Sequence, residues 1–120
     1  MFISKSRVIK TTIISLAMSV CSLTYADSSI HCSKARFPDE KAICRSVELQ
    51  KQDVRMTTLF EVSGHLMAMG SRGAMQDRQV DWLSTRHQCK TNIRCLRQSY
   101  AKRIDELNQG LEGIYQRGPF

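Results

Sequence analysis

The chain has 120 residues, with 18 Lys and Arg against 11 Asp and Glu for a formal charge of +7, 42% hydrophobic residues and five cysteines. That length holds one domain whose core is small enough to benefit from covalent staples. No repeat, low-complexity tract, phosphate loop, nucleophile elbow or zinc-protease helix is legible, which leaves the common enzyme classes without a motif.

Residues 1 to 26 read as an export signal. Lys5, Arg7 and Lys10 stand without an acid, and an apolar run from Val8 to Val20, broken by Lys10 and small hydroxyl residues, is too short for a stop-transfer span. Thr24 and Ala26 sit three and one positions before a cut at Ala26–Asp27, where a type I signal peptidase is expected to act. Cys21 follows the apolar run as a lipidated cysteine would, but Val20 is branched where such a site wants a small residue, so a non-lipidated product is expected. The mature domain is then 27 to 120, periplasmic or secreted, with no transmembrane span. Loss of Lys5, Arg7 and Lys10 leaves 15 bases against 11 acids, near +4 and scattered along the chain. Such a charge reads as a solvated surface, and an exported protein meets no chromosome, so nucleic acid is not expected as a partner.

Four cysteines remain: Cys32, Cys44, Cys89 and Cys95. An even number in an exported domain predicts two disulfides, and four cysteines allow three pairings that sequence does not decide. The local pairs, Cys32 with Cys44 and Cys89 with Cys95, are favoured because each brackets helix-start or turn signals. A zinc site with His31 or His87 is the rival, but C-x11-C followed far away by C-x5-C lacks the close ligand pairs of structural zinc modules, so no metal and no cofactor are expected.

Helical signals fill the mature part and no segment alternates as a strand would. Pro38, Asp39 and Glu40 look like an acidic first turn leading into Cys44. Ser46 offers an N-cap to a helix carrying Leu49, Met56, Leu59, Phe60, Leu66 and Met67 on one face. Gly70 to Gly73 is expected to break it, with the next helix starting near Met75 or Gln76 and presenting Gln79, Trp82, Leu83 and Arg86 before a turn at Lys90 to Asn92. Ile93, Leu96, Tyr100, Ile104, Leu107, Leu111 and Tyr115 then recur at steps of three or four, one continuous stripe. Gly110 and Gly113 weaken its end and Gly118-Pro119 stops it. The expected fold is all-α, a small antiparallel helical bundle stapled by two disulfides.

Two motif blocks carry a family resemblance. The first is Cys32-Ser-Lys-Ala35, Glu40-Lys-Ala-Ile43-Cys44, then Leu49, Asp53, Met56 and Phe60. The second is Gln79-Val-Asp-Trp82-Leu83-Ser-Thr-Arg86-His-Gln-Cys89 followed by Cys95-Leu96, Tyr100, Arg103, Ile104 and Leu107. Together they resemble the LprI-type lysozyme inhibitors of bacteria over roughly Ile30 to Leu107. The resemblance implies a helical, disulfide-bearing envelope protein that blocks a lysozyme-type glycoside hydrolase. The alternative of a different class is an envelope module that inhibits nothing and binds cell wall, lipid headgroups or another exported protein.

Among candidate site residues, Trp82 is expected to be core by its phase with Leu83 and Arg86. Arg86 and Arg103 sit on apolar-facing positions and need carboxylates, for which Asp53 is the named partner. Tyr100 belongs to the same structural set. Met67 to Met75 is expected to be an adaptable apolar loop, with Met69, Arg72 and Met75 as the candidate contact surface and Arg72 meeting cleft carboxylates. A charge near +4 does not steer the domain to a basic enzyme, which leaves Asp77 with Asp81 as the local acidic patch. His31, His65 and His87 are expected at the surface or at caps, and no catalytic residue is assigned.

Overall fold

A computed structural model describes residues 29 to 118. The segment expected to be a signal sequence, its expected cleavage site and Cys21 lie outside the described residues, as does Pro119. After a single 3₁₀ turn at Cys32–Lys34 come four helices: α1 Pro38–Cys44, α2 Val47–Leu66, α3 Met69–Gln88 and α4 Ile93–Tyr115. No strand occurs among the described residues.

Local chemistry sets the helix starts. Pro38 opens α1, and the Glu40 carboxylate accepts from the backbone N–H groups of Arg36 and Phe37 at 2.8 and 3.1 Å. Ser46 caps α2 through the Leu49 N–H at 3.3 Å, and Asn92 caps α4 through the Cys95 N–H at 3.0 Å. Between α3 and α4, Lys90 takes a left-handed φ of 51°, the conformation that turns a chain out of a helix end.

The long helices run up, down and up. Glu48 and Arg97 pair at the starts of α2 and α4, while Met67 and Gly110 approach near their ends, so these two are parallel. Against them α3 runs antiparallel: Gln79 touches Met56 and Arg103, and the Trp82 indole donates to the Ser99 carbonyl at 3.1 Å. The core consists of Leu49, Met56, Met75, Trp82, Leu96, Tyr100, Ile104 and Leu107, joined by Ile30, Ala42 and Ile43 from the N-terminal segment and α1. Disulfides Cys32–Cys44 and Cys89–Cys95 close the end where α2 and α4 begin, so one end of the bundle is stapled and the other open.

Three expectations about the elements change. Gly70 and Gly73 break nothing: the join between α2 and α3 is Met67 and Ala68 in extended backbone, and α3 starts at Met69. Two helical glycines cost about 1 kcal/mol each, and burial of Met75 against α2 returns about 1.5–3 kcal/mol. Met75 is buried, with its methyl group beside Gly64. The α4 stripe does not hold at its ends, where Ile93 and Tyr115 are exposed while Ile114 is buried. Gly110 and Gly113 are also accommodated within α4. Leu66, assigned to the inner face of α2, is exposed at its last turn.

Candidate functional site

At the stapled end each element contributes one member of a buried polar clasp. Asp39 sits in the first turn of α1 with no solvent exposure. Its carboxylate accepts from Arg86 Nε at 2.9 Å and meets His87 Nδ1 at 2.9 Å from both oxygens. Arg86, only 2% exposed, also donates to the Tyr100 hydroxyl at 3.4 Å and lies 5.5 Å over the Trp82 ring. Tyr100 donates to Asp53 at 2.8 Å, and Ser29 donates to the same oxygen at 2.7 Å. A chain of polar contacts thus runs α1–α3–α4–α2 through the interior, where an unpartnered member would be costly.

Of the two buried arginines expected to pair with Asp53, Arg86 does so at 4.0 Å, but its closer, hydrogen-bonded partner is Asp39 at 2.9 Å, and Tyr100 also bridges Arg86 to Asp53. Arg103 bonds Gln79 Oε1 at 2.9 Å and Glu106 at 3.2 Å. The reason is register, since Arg103 lies almost one turn past Tyr100 and is level with Gln79. His87, expected at the surface, is half-buried on Asp39 and the Phe37 ring. Trp82 is core, as its phase implied.

Burial pushes the Asp39 carboxyl up, but the hydrogen bond from His87 and the charge and bond of Arg86 outweigh it and hold it below the ordinary 3.8. Burial, reinforced by the Asp53 carboxylate, drives the Tyr100 phenol far above its usual range and keeps it a donor. A carboxyl lowered by folding stabilises fully above its unfolded value, and that contribution disappears as pH falls through the folded one. Wild-type stability to urea is therefore expected to drop below about pH 4, and Asp39→Asn, less stable at neutral pH, is expected to lose that part of the acid dependence. Parallel slopes for the two proteins would contradict the assignment.

The clasp is enclosed, and no His, Cys, Asp and Glu cluster among the described residues has the geometry to hold a metal ion. At the open end the side chains face solvent. Met69, at the first position of α3, is 83% exposed. Arg72 lies behind it, half-buried, with a guanidinium nitrogen 3.5 Å from the Met67 carbonyl at the C-terminal end of α2. Of the three residues expected to form a contact loop, Met69 is presented, Arg72 is partly engaged, and Met75 is core.

Beside this corner, α3 and α4 part to leave a cleft of 740 Å³. Its lining includes Met67, Ala68, Gly113 and Ile114, with Arg78 from α3 and Arg117 from the turn just past the end of α4. Sequence reading missed both arginines, because only the antiparallel register brings position 78 near position 117. Asp77 and Asp81 are exposed on α3.

No family model, curated protein or solved structure matches the chain. The likeness to the LprI-type inhibitors thus rests on the two motif blocks themselves. In the structure Trp82, Arg86, Cys89, Cys95, Leu96 and Tyr100 are parts of the core, the clasp or a disulfide, and Gln79 bonds the buried Arg103. The motif therefore encodes the interior of the bundle.

Proposed function

We propose that this chain is an exported lysozyme-inhibitor-like protein that binds a peptidoglycan-cleaving enzyme and blocks its cleft with the α2–α3 corner. The observation that carries the reading is the corner itself, an apolar side chain 83% exposed at Met69, the first residue of α3 after a two-residue join. A preorganised projection of this kind loses little conformational entropy on insertion. Arg72 stands one turn behind it, and glycoside hydrolases work with a pair of carboxyl groups that a guanidinium would face. The motif resemblance supports the same reading, as do two disulfides suited to an oxidising compartment. No helix among the described residues is long and apolar enough to cross a membrane.

Met69→Asp tests the corner. It removes the apolar tip and sets a carboxylate against carboxylates, so inhibition of cell lysis is expected to weaken by about 30-fold or more, the loss typical of a binding hot spot. Val80→Asp alters another exposed apolar residue of α3, about 16 Å along the helix, and is expected to change nothing. Inhibition that survives Met69→Asp, or falls equally in both variants, would rule the corner out.

A further inference from the structure

We infer that the open-end cleft between α3 and α4 is a binding site for a single-chain amphiphilic anion, with its acyl chain along the small-residue floor and its carboxylate between Arg78 and Arg117. The inference does not depend on the enzyme-blocking reading.

Charge complementarity is the first argument. Arg86, Arg97 and Arg103 each have a carboxylate partner, whereas Arg78 on α3 and Arg117 just past the end of α4 have no ion pair among the described residues and border one cleft. Ser71 and Gln109 add polar donors, and no Asp or Glu lines the space. Two guanidiniums without an acid select for an anion and disfavour a cation or a neutral polar ligand.

The floor supplies the second argument. Met67, Ala68, Ala74 and Ile114 are apolar, and 740 Å³ falls within the range of about 300–1,000 Å³ usual for small-molecule sites. Gly113 has no structural need to be glycine: its φ is not positive, and a Cβ placed there would meet nothing within 4 Å. Glycine inside a helix costs about 1 kcal/mol relative to alanine, so this lining residue gives up helix stability that no packing contact requires. An anionic head with a flexible aliphatic tail matches both parts of the lining.

The test uses the oxidised protein purified after export and 11-(dansylamino)undecanoate as the probe. Saturable one-to-one binding is expected, displaced by dodecanoate but not by dodecanol or acetate. Arg78→Glu combined with Arg117→Glu is expected to weaken binding about tenfold or more, as removal of charge-assisted contacts does. Gly113→Trp, which fills the cleft and raises helix propensity, is expected to abolish binding with an unchanged circular dichroism spectrum. The inference is overturned by absence of saturable binding, by equal displacement with dodecanol, or by affinity that survives both variants. Association with phosphatidylglycerol vesicles but not with the monomeric probe would overturn it too, since that identifies a membrane surface as the ligand.

Discussion

Replacing Arg86 with alanine is expected to destabilise the domain by roughly 3–5 kcal/mol, the usual cost of leaving buried charge without its partner. Asp39 has no exposure and would keep only His87, while Asp53 would lose the cation that lies 4.0 Å away and the Arg86–Tyr100 contact. Trp82 would also lose the guanidinium over its ring. For a domain whose total stability is on the order of 5–15 kcal/mol, such a loss brings the folded population close to its limit. Urea titration at pH 7 measures it. Pairing Arg86→Met with Asp39→Asn removes both charges together and is expected to recover a large part of the loss, a coupling that a double-mutant cycle reads directly. A loss under 1 kcal/mol for Arg86→Ala would mean that the clasp does not hold α1 to the bundle.

Reduction and alkylation of both disulfides is expected to have a comparable effect. The chain-entropy relation gives about 3 kcal/mol for the 12-residue separation of Cys32–Cys44 and about 2 kcal/mol for the 6-residue separation of Cys89–Cys95. The first should matter more than entropy alone implies. It ties the segment carrying Ile30 to α1, which carries Asp39, so its loss frees both the Ile30 packing and one end of the clasp. Cys32→Ala with Cys44→Ala is therefore expected to lower the melting temperature more than Cys89→Ala with Cys95→Ala. The reverse order would show that the α3–α4 turn, with its left-handed Lys90, depends more on covalent closure than α1 does.

These effects explain what the sequence could and could not reveal. Elements with local signals were legible: Pro38 before two acids, the Ser46 cap, and the three-and-four rhythm of Leu96, Tyr100, Ile104 and Leu107 each mark a helix without help from the rest of the chain. The α2–α3 join was not, because two glycines outweighed a packing term, Met75 on Gly64, that exists only after the helices meet. Partners were harder still. Asp39 looked like an ordinary first-turn acid, and a contact 47 residues away with Arg86 has no trace in local spacing. A buried arginine did signal that some carboxylate must join it, so the need was visible and the identity was not. At the open end, Met69 is exposed, as its place in the methionine-rich segment suggested, but the convergence of Arg78 and Arg117 on one cleft depends on the bundle register.

Residues of the Gln-x-x-Trp-Leu-x-x-Arg-x-x-Cys block hold the interior, so related sequences keeping it would share a scaffold while differing in what the open end binds. The proposed partner thus depends on surface residues outside the motif, above all Met69 and its neighbours.

The measurement that tests the proposed function most directly is a turbidity assay of cell lysis. Oxidised protein, purified after export, is titrated against hen-type, goose-type and phage-type lysozymes beside a reduced and alkylated control. Dose-dependent protection from at least one class, lost on reduction, is the predicted result. Absence of protection from all three, with the oxidised protein folded by circular dichroism, would contradict the enzyme-blocking account.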